Sequence, residues 1–446
     1  MEHSRRARIH VISETAFYGK GQGVHTAFVD CVNFLGKSGR YDVVVNGAGW
    51  GDLFHAHTYG PYYFWKGRRY KGRRVFTAHV IPDSAKGSIP AERLMRPLVR
   101  WYLRRVYTYA DVCISISPVV TDQVRRLSPS TQVVEIVNPL NTERFRPSQE
   151  LRRAGRRRLG LPDNAFVALG VGQLEKRKGV EDFIDIAAAC PEVRFVWVGG
   201  RPYGAATEGV GRINAKMRRE DCAVQFAGLF DLEDMPTLYN AADLFLFPSL
   251  QENCPMAPIE AAACGLPVVF RDLPEYRRLY QSPYLAAPDT PAFVEFVRRL
   301  HNDEAFRERA KGLSEALIRQ FETTQVLEAL DSVYETLLRS RQPVSRLSRF
   351  LPRRVVRRNG APHRCDACVA KDEHDAPAVR TGIRRAGCRE NPGRAATTTV
   401  CGRSARNQGG SGGWRCAEAA PRHRTFRGSP AGRQCSRDDR SESRLT

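Results

Sequence analysis

The sequence predicts an α/β protein made of two doubly wound, Rossmann-like halves, and three observations predict it. Short apolar runs alternate with longer helical patterns over the first 340 residues, the alternation pauses at a turn-rich stretch near residue 140 and restarts, and the composition changes after residue 341. Alternation of this kind means parallel strands joined by crossover helices, with helices covering both faces of each sheet. At 446 residues the chain can build two such halves, each with its own core.

In the first half, the runs at 9–13, 42–46, 53–56, 74–78, 111–115 and 133–137 read as strands, with a helix over 24–35. Asn138-Pro-Leu-Asn-Thr-Glu-Arg-Phe-Arg-Pro147 is rich in turn formers and suits a linker. The second half repeats the pattern with strands at 166–170, 194–198, 224–226, 243–247 and 267–270. Its helices fall near 180–189, 234–240 and 258–264, and 291–339 is mainly helical. The chain thus divides into residues 1–147, 148–341 and a tail, 342–446. In doubly wound sheets the ligand lies at the carboxyl ends of the strands, so the cleft between the halves is the expected site.

The charge belongs mostly to the tail. Residues 341–446 hold 24 Lys+Arg and 9 Asp+Glu, which is +15 of the net +22 and leaves +7 for the first 340. The tail has 23 Arg against one Lys, with few periodic apolar residues. Such a composition buries too little apolar surface to offset chain entropy and reads as a disordered basic tail; out-of-frame translation of a GC-rich gene would give the same bias. Six of the twelve cysteines lie there, and Cys365-Asp-Ala-Cys368 has no second pair at finger spacing. The other six, scattered through apolar segments, read as reduced core residues. With no run of about 18 apolar residues and no signal-peptide core, the chain is expected in the cytoplasm. Nucleic-acid binding through the arginine-rich tail is a competing function, weakened by the lack of repeated aromatic-basic units.

Chemistry concentrates after the strand at 243–247. Glu252-Asn-Cys-Pro-Met-Ala-Pro-Ile-Glu260 puts one carboxylate at the mouth of a strand-to-helix loop and a second in the first turns of the helix. Carboxylates so placed accept hydrogen bonds from sugar and ribose hydroxyls, or they complement the helix dipole. Leu169-Gly-Val-Gly-Gln-Leu-Glu-Lys-Arg-Lys-Gly-Val180 follows a strand with a basic turn, and Lys178 is a fit partner for a diphosphate. Tyr18-Gly-Lys-Gly-Gln-Gly-Val24 is a glycine loop between the first strand and first helix, suited to close approach of a phosphate. Arg74-Val-Phe-Thr-Ala-His79 ends a strand with a histidine, as does Phe54-His-Ala-His-Thr-Tyr59, where one of His55 and His57 should face the cleft and the other the core.

The stretch from Tyr239 to Val269 resembles the donor-binding signature of glycosyltransferase family 4, retaining enzymes of the GT-B fold. The resemblance implies that Glu252 contacts the donor sugar, Glu260 holds the ribose, Lys178 binds the diphosphate, Gly23 lies in the phosphate loop and His79 lies beside the reacting sugar. The family pattern has an arginine where this chain has Gln173, and Arg177 is an adjacent substitute. The implied function is transfer of a hexose from a nucleoside-diphosphate sugar, a uridine one first, to an acceptor hydroxyl with retention; a sugar-nucleotide epimerase of the same fold is the alternative. No cofactor is implied, and with no Asp-x-Asp element no metal either. The loop around Gly23 is similar to that of bacterial glycolipid synthases. Aromatic and basic residues in 61–74 and 97–107 suit an anionic membrane surface, so the expected acceptor is a membrane lipid such as diacylglycerol or else a saccharide, with peripheral contact at the inner face of the cell membrane.

Overall fold

The computed structural model describes residues 5–15, 23–82, 92–200 and 210–339. The tail and residues 18–22 of the glycine loop lie outside the described residues.

Two six-stranded parallel sheets organise the chain. The first contains β1 (Arg8–Ile12), β2 (Asp42–Val45), β3 (Leu53–Ala56), β4 (Arg73–Ala78), β5 (Val112–Ser115) and β6 (Gln132–Glu135), in the order β2-β1-β3-β4-β5-β6. The second contains β7 (Val167–Val171), β8 (Arg194–Val198), β9 (Val224–Gly228), β10 (Leu244–Phe247), β11 (Val268–Arg271) and β12 (Leu285–Ala287), in the order β12-β11-β10-β7-β8-β9. In each sheet the chain first steps outward and then returns past its starting strand. Order therefore reverses between β1 and β3 in one sheet and between β7 and β10 in the other. Loops leaving neighbouring strands diverge at such a point and leave a crevice.

The described helices are α1 (Gly23–Ser38), α2 (Pro61–Arg69), α3 (Glu92–Tyr109), α4 (Pro118–Leu127), α5 (Gln149–Leu159), α6 (Val180–Ala189), α7 (Val210–Met217), α8 (Met235–Asn240), α9 (Ala257–Ala263), α10 (Pro274–Leu279), α11 (Thr290–Asn302), α12 (Glu304–Ile318) and α13 (Thr323–Arg339). Local chemistry fixes several ends. Ser117 and Ser148 accept hydrogen bonds from Val120 N and Leu151 N at the starts of α4 and α5, and Gly160 closes α5 in the left-handed region. Asp289 and Asp303 cap α11 and α12 in the same way.

Two elements depart from the sequence reading. Strand β12 is three residues long, too short for an alternation window to register. Helix α13, expected among the helices trailing the second half, instead packs on the first sheet. Val326, Leu327, Leu330, Val333, Tyr334 and Leu337 repeat at helical spacing and bury with Ile9, Val11, Leu53 and Val75 in one core cluster. Leu140 N donates to Phe321 O at 2.9 Å, tying the linker to the start of this return. A Leu327→Ala substitution should therefore destabilise the protein by about 2–5 kcal/mol, measured by urea denaturation, despite lying more than 250 residues from its strand partners.

Candidate active site

Lys178 leaves the sheet just after β7, and Glu252 just after β10, on either side of the reversal in the second sheet. Residues Lys176–Lys178 form a single 3-10 turn that ends at Gly179 in the left-handed region, φ 70°. A Cβ at position 179 would lie 2.2 Å from Pro248 O, so only glycine lets the turn seat against the end of β10. That close seating brings basic and acidic side chains together. Lys178 Nζ donates to Glu252 Oε1 at 2.5 Å, and Arg177 Nη1 lies 3.3 Å from Glu252 Oε2. Arg177 also donates to Glu175 Oε1 at 2.7 Å and to Gln251 O at 3.1 Å.

All four charged groups are largely buried, two cations against two anions. Burial alone would raise the Glu252 carboxyl, but Lys178 and Arg177 outweigh it and hold it below the usual range. Burial pulls Lys178 down from its ordinary value, with Glu252 opposing. Arg177, next to Lys178 in sequence, thus converges with it on Glu252. A tight 3-10 turn against a strand end sets this convergence, which residue spacing on a regular helix would not allow.

Glu260 sits in the first turn of α9, buried, and accepts a hydrogen bond from Tyr239 Oη at 2.7 Å. Burial raises its carboxyl to about 7; Tyr239 and Arg144 oppose the rise and Asp30 adds to it. Tyr239, Asp30 and Arg144 were not singled out from sequence, although Tyr239 opens the signature stretch.

The first sheet supplies the facing wall. His79 follows β4 and is buried, its Nε2 3.1 Å from His57 Nδ1 and their rings stacked at 5.4 Å. Burial pulls His79 to about 3 and His57 well below its ordinary value, so both are neutral imidazoles at pH 7. The His79 carbonyl accepts from Asn253 Nδ2 at 3.0 Å, which joins the first wall to the residue beside Glu252. His55 and His57 take different neighbours, His57 stacking on His79 and His55 bonding Tyr334. Both are buried, with ring centroids 4.4 Å apart. His55 bonds Thr77 Oγ1 at 2.6 Å and Tyr334 of α13. Gly23 opens α1 and is exposed, with no atom within 4 Å of where a Cβ would stand. Among the described residues, Cys31, His55 and His57 form a buried group close enough to share an ion, but both nitrogens of His55 are already bonded.

Two family models match the chain, "Glycosyltransferase Family 4" over residues 5–144 and "Glycosyl transferases group 1" over residues 165–303. The chain belongs to glycosyltransferase family 4. An alpha-galactosylglucosyldiacylglycerol synthase of Streptococcus pneumoniae (strain ATCC BAA-255 / R6) is 31% identical over 340 residues, covering 74% of this chain and 90% of that protein. A processive diacylglycerol alpha-glucosyltransferase of Acholeplasma laidlawii is 28% identical over 203 residues, 45% of this chain and 60% of its own. Among solved structures, sucrose-phosphate synthase from Thermosynechococcus elongatus superposes with a TM-score of 0.63 at 19% identity, over 74% of this chain and 99% of that one. Anabaena Alr3699/HepE in complex with UDP and glucose gives 0.61 at 18%, over 74% and 100%. These likenesses show the GT-B fold, and the chain is a glycosyltransferase.

The first half of this glycosyltransferase carries an uneven surface. Trp65 on α2 and Met95, Leu98 and Trp101 on α3 are each about half exposed. Arg68 and Arg69 lie over the Trp65 ring at 5.7 and 5.8 Å, and Arg105 lies over Trp101 at 5.6 Å. Phe64 packs on Tyr102 and Tyr109, which joins α2 to α3. Among the described residues, no helix is long and apolar enough to cross a membrane.

Two outcomes follow from this geometry. Lys178→Met leaves Glu252 buried with Arg177 as its remaining cation and should cost about 3–5 kcal/mol of stability. Combining it with Glu252→Gln should restore part of that loss, a coupling read from a double-mutant cycle of urea midpoints. Glu260 rises from 4.5 to about 7 on folding, so the stability it contributes is full below pH 4.5 and is lost as pH climbs through 7. Glu260→Gln should flatten the fall in melting temperature between pH 4.5 and 7.5, removing on the order of 3 kcal/mol of pH dependence.

Proposed function

We propose that this protein transfers a hexose from a uridine-diphosphate sugar to a hydroxyl of a membrane glycerolipid, with retention at the anomeric carbon. The observation that carries the donor half is the buried meeting of Lys178, Arg177 and Glu252 at the order reversal of the second sheet, with Glu260 eight residues further on. In this reading Glu252 accepts from hydroxyls of the donor sugar and Glu260 from the ribose. Lys178 and the loop ending at Gly23 stabilise the diphosphate as charge develops on it, and neutral His79 borders the sugar. The acceptor oxygen attacks the anomeric carbon, the bond from that carbon to the diphosphate oxygen breaks, and the hydroxyl proton ends on the departing phosphate.

Support for a lipid acceptor comes from the surface of α2 and α3. Half-exposed tryptophans flanked by arginines suit an interface where rings enter the headgroup layer and guanidinium groups meet lipid phosphates. The names of the two relatives, a galactosylglucosyldiacylglycerol synthase and a diacylglycerol glucosyltransferase, agree with it.

The test is a mass-spectrometric screen of sugar nucleotides with lipid vesicles as acceptors. Glycolipid should form from one uridine-diphosphate sugar, and Glu260→Ala should weaken binding of that donor about 10- to 100-fold by loss of its hydrogen bonds to the ribose. Binding of no sugar nucleotide, or binding that Glu260→Ala leaves untouched, would sink the donor assignment. Trp65→Ala with Trp101→Ala should release the protein from anionic vesicles in a sedimentation assay while leaving donor binding in place.

A further inference from the structure

The order reversal in the second sheet is filled by the Lys178–Glu252 group; the reversal in the first sheet, between β1 and β3, has its own carboxylate. Glu14 stands two residues beyond β1 and is half-buried. Its backbone N–H donates to Thr58 Oγ1 at 2.8 Å, which pins it to the chain leaving β3. The carboxylate lies flat against Gly60, whose amide bonds it, so closely that a Cβ at position 60 would fall 1.4 Å from Oε2. Glycine at the start of α2 is what admits it. Tyr102 of α3 donates its hydroxyl to Tyr59 O, and its ring stands 6.3 Å from that of Tyr59, closing the other side.

The setting links this carboxylate to both sides of the proposed reaction. Thr58 adjoins His57, His57 bonds His79, and the His79 carbonyl bonds Asn253 beside Glu252. Thr15, next in sequence to Glu14, bonds His25, which feels the charge of Glu233 from the second half. Outward from Gly60 runs α2 with the half-exposed Trp65, and beside it α3 with Trp101. Glu14 therefore lies between the strand ends of the cleft and the aromatic, arginine-lined helices.

We propose that Glu14 holds the hydroxyl-bearing head of the acceptor, and that this head is a sugar: the carboxylate accepts from two of its hydroxyls, leaving a third free to attack the donor. This rests on the glycerolipid reading above and narrows it to an acceptor that is already glycosylated. Among the described residues the Gly60 amide is the hydrogen-bond donor to this carboxylate, which leaves it acceptor capacity, and diacylglycerol, with a single hydroxyl, would have to use its reacting group to fill it. Burial lifts Glu14 above the usual carboxylate range, as fits a carboxylate that hydroxyl donors would relieve. The structural role, an acceptor for the Gly60 amide at the start of α2, is one that a glutamine oxygen also fulfils.

The test compares wild type with Glu14→Gln, which keeps that amide bond and removes one charged acceptor oxygen. Transfer is followed to vesicles of phosphatidylglycerol containing monoglucosyldiacylglycerol or diacylglycerol. Saturation-transfer NMR follows binding of octyl glucoside to the full chain. Glu14→Gln should keep the melting temperature and donor binding, raise KM for the glucosylated lipid about 10-fold or more, and lose the octyl glucoside head-group signal. Gly60→Ala, which displaces the carboxylate without removing it, should reproduce the rise in KM. Unchanged KM and unchanged octyl glucoside binding in Glu14→Gln overturn the proposal, as does equal use of diacylglycerol by wild type. If wild type glycosylates neither lipid yet binds octyl glucoside through Glu14, the glycerolipid reading fails and the sugar-head site stands.

Discussion

Glu252 is held from one side by Lys178 and Arg177, and Arg177 is held in turn by Glu175. Burying four charges costs several kcal/mol each unless every one is paired, and the pairing here is nearly complete. It is possible because Gly179 lets the basic turn lie against Pro248, at the end of the strand that delivers Glu252. With any other residue at 179 the turn would stand off, and the two loops would meet water instead of each other. A backbone constraint at one glycine therefore sets the charge state of the site. It keeps Glu252 ionised although buried, while Glu260, with a tyrosine hydroxyl as its bonded partner, is pushed to about 7.

The same economy runs through the two sheets. Each reverses strand order once, and each reversal receives residues from the loops of the two strands flanking it. At β7 and β10 these are Lys178 and Glu252; at β1 and β3 they are Glu14 and Thr58. The walls are joined by the hydrogen bond of Asn253 to the His79 carbonyl and by the Arg278–Asp122 ion pair at 2.9 Å. Helix α13 adds a covalent return, since its apolar face completes the core of the first sheet after the chain has built the second.

Much of this was legible in the sequence, and what was not has physical reasons. Strands 53–56 and 194–198 coincide with β3 and β8 because dense apolar runs bounded by polar residues leave little freedom at the ends. Glu252 and Glu260 stood out in the stretch from Tyr239 to Val269, and Lys178 in the basic turn of residues 169–180. Arg177 was named as an adjacent substitute, but its convergence with Lys178 was hidden, because neighbouring side chains diverge on a regular helix and the 3-10 turn that joins them depends on contact with Pro248. The destination of α13 was hidden for a related reason: periodicity reveals an apolar face but not the sheet that will cover it.

In the proposed reaction, the closed Lys178–Glu252 pair has a consequence for the order of binding. A diphosphate offers Lys178 more negative charge than one carboxylate does, so Lys178 is the group with reason to change partner. Glu252 would then keep Arg177, which three acceptors hold in place, and would turn a vacated oxygen toward sugar hydroxyls. Arg177 would thus position Glu252 while Lys178 is exchanged. In this reading a hexose without its diphosphate would not release Lys178 and would meet an occupied carboxylate. Under the proposed donor roles, selection of nucleotide sugar over free sugar would follow from this one exchange, before any contact with the base.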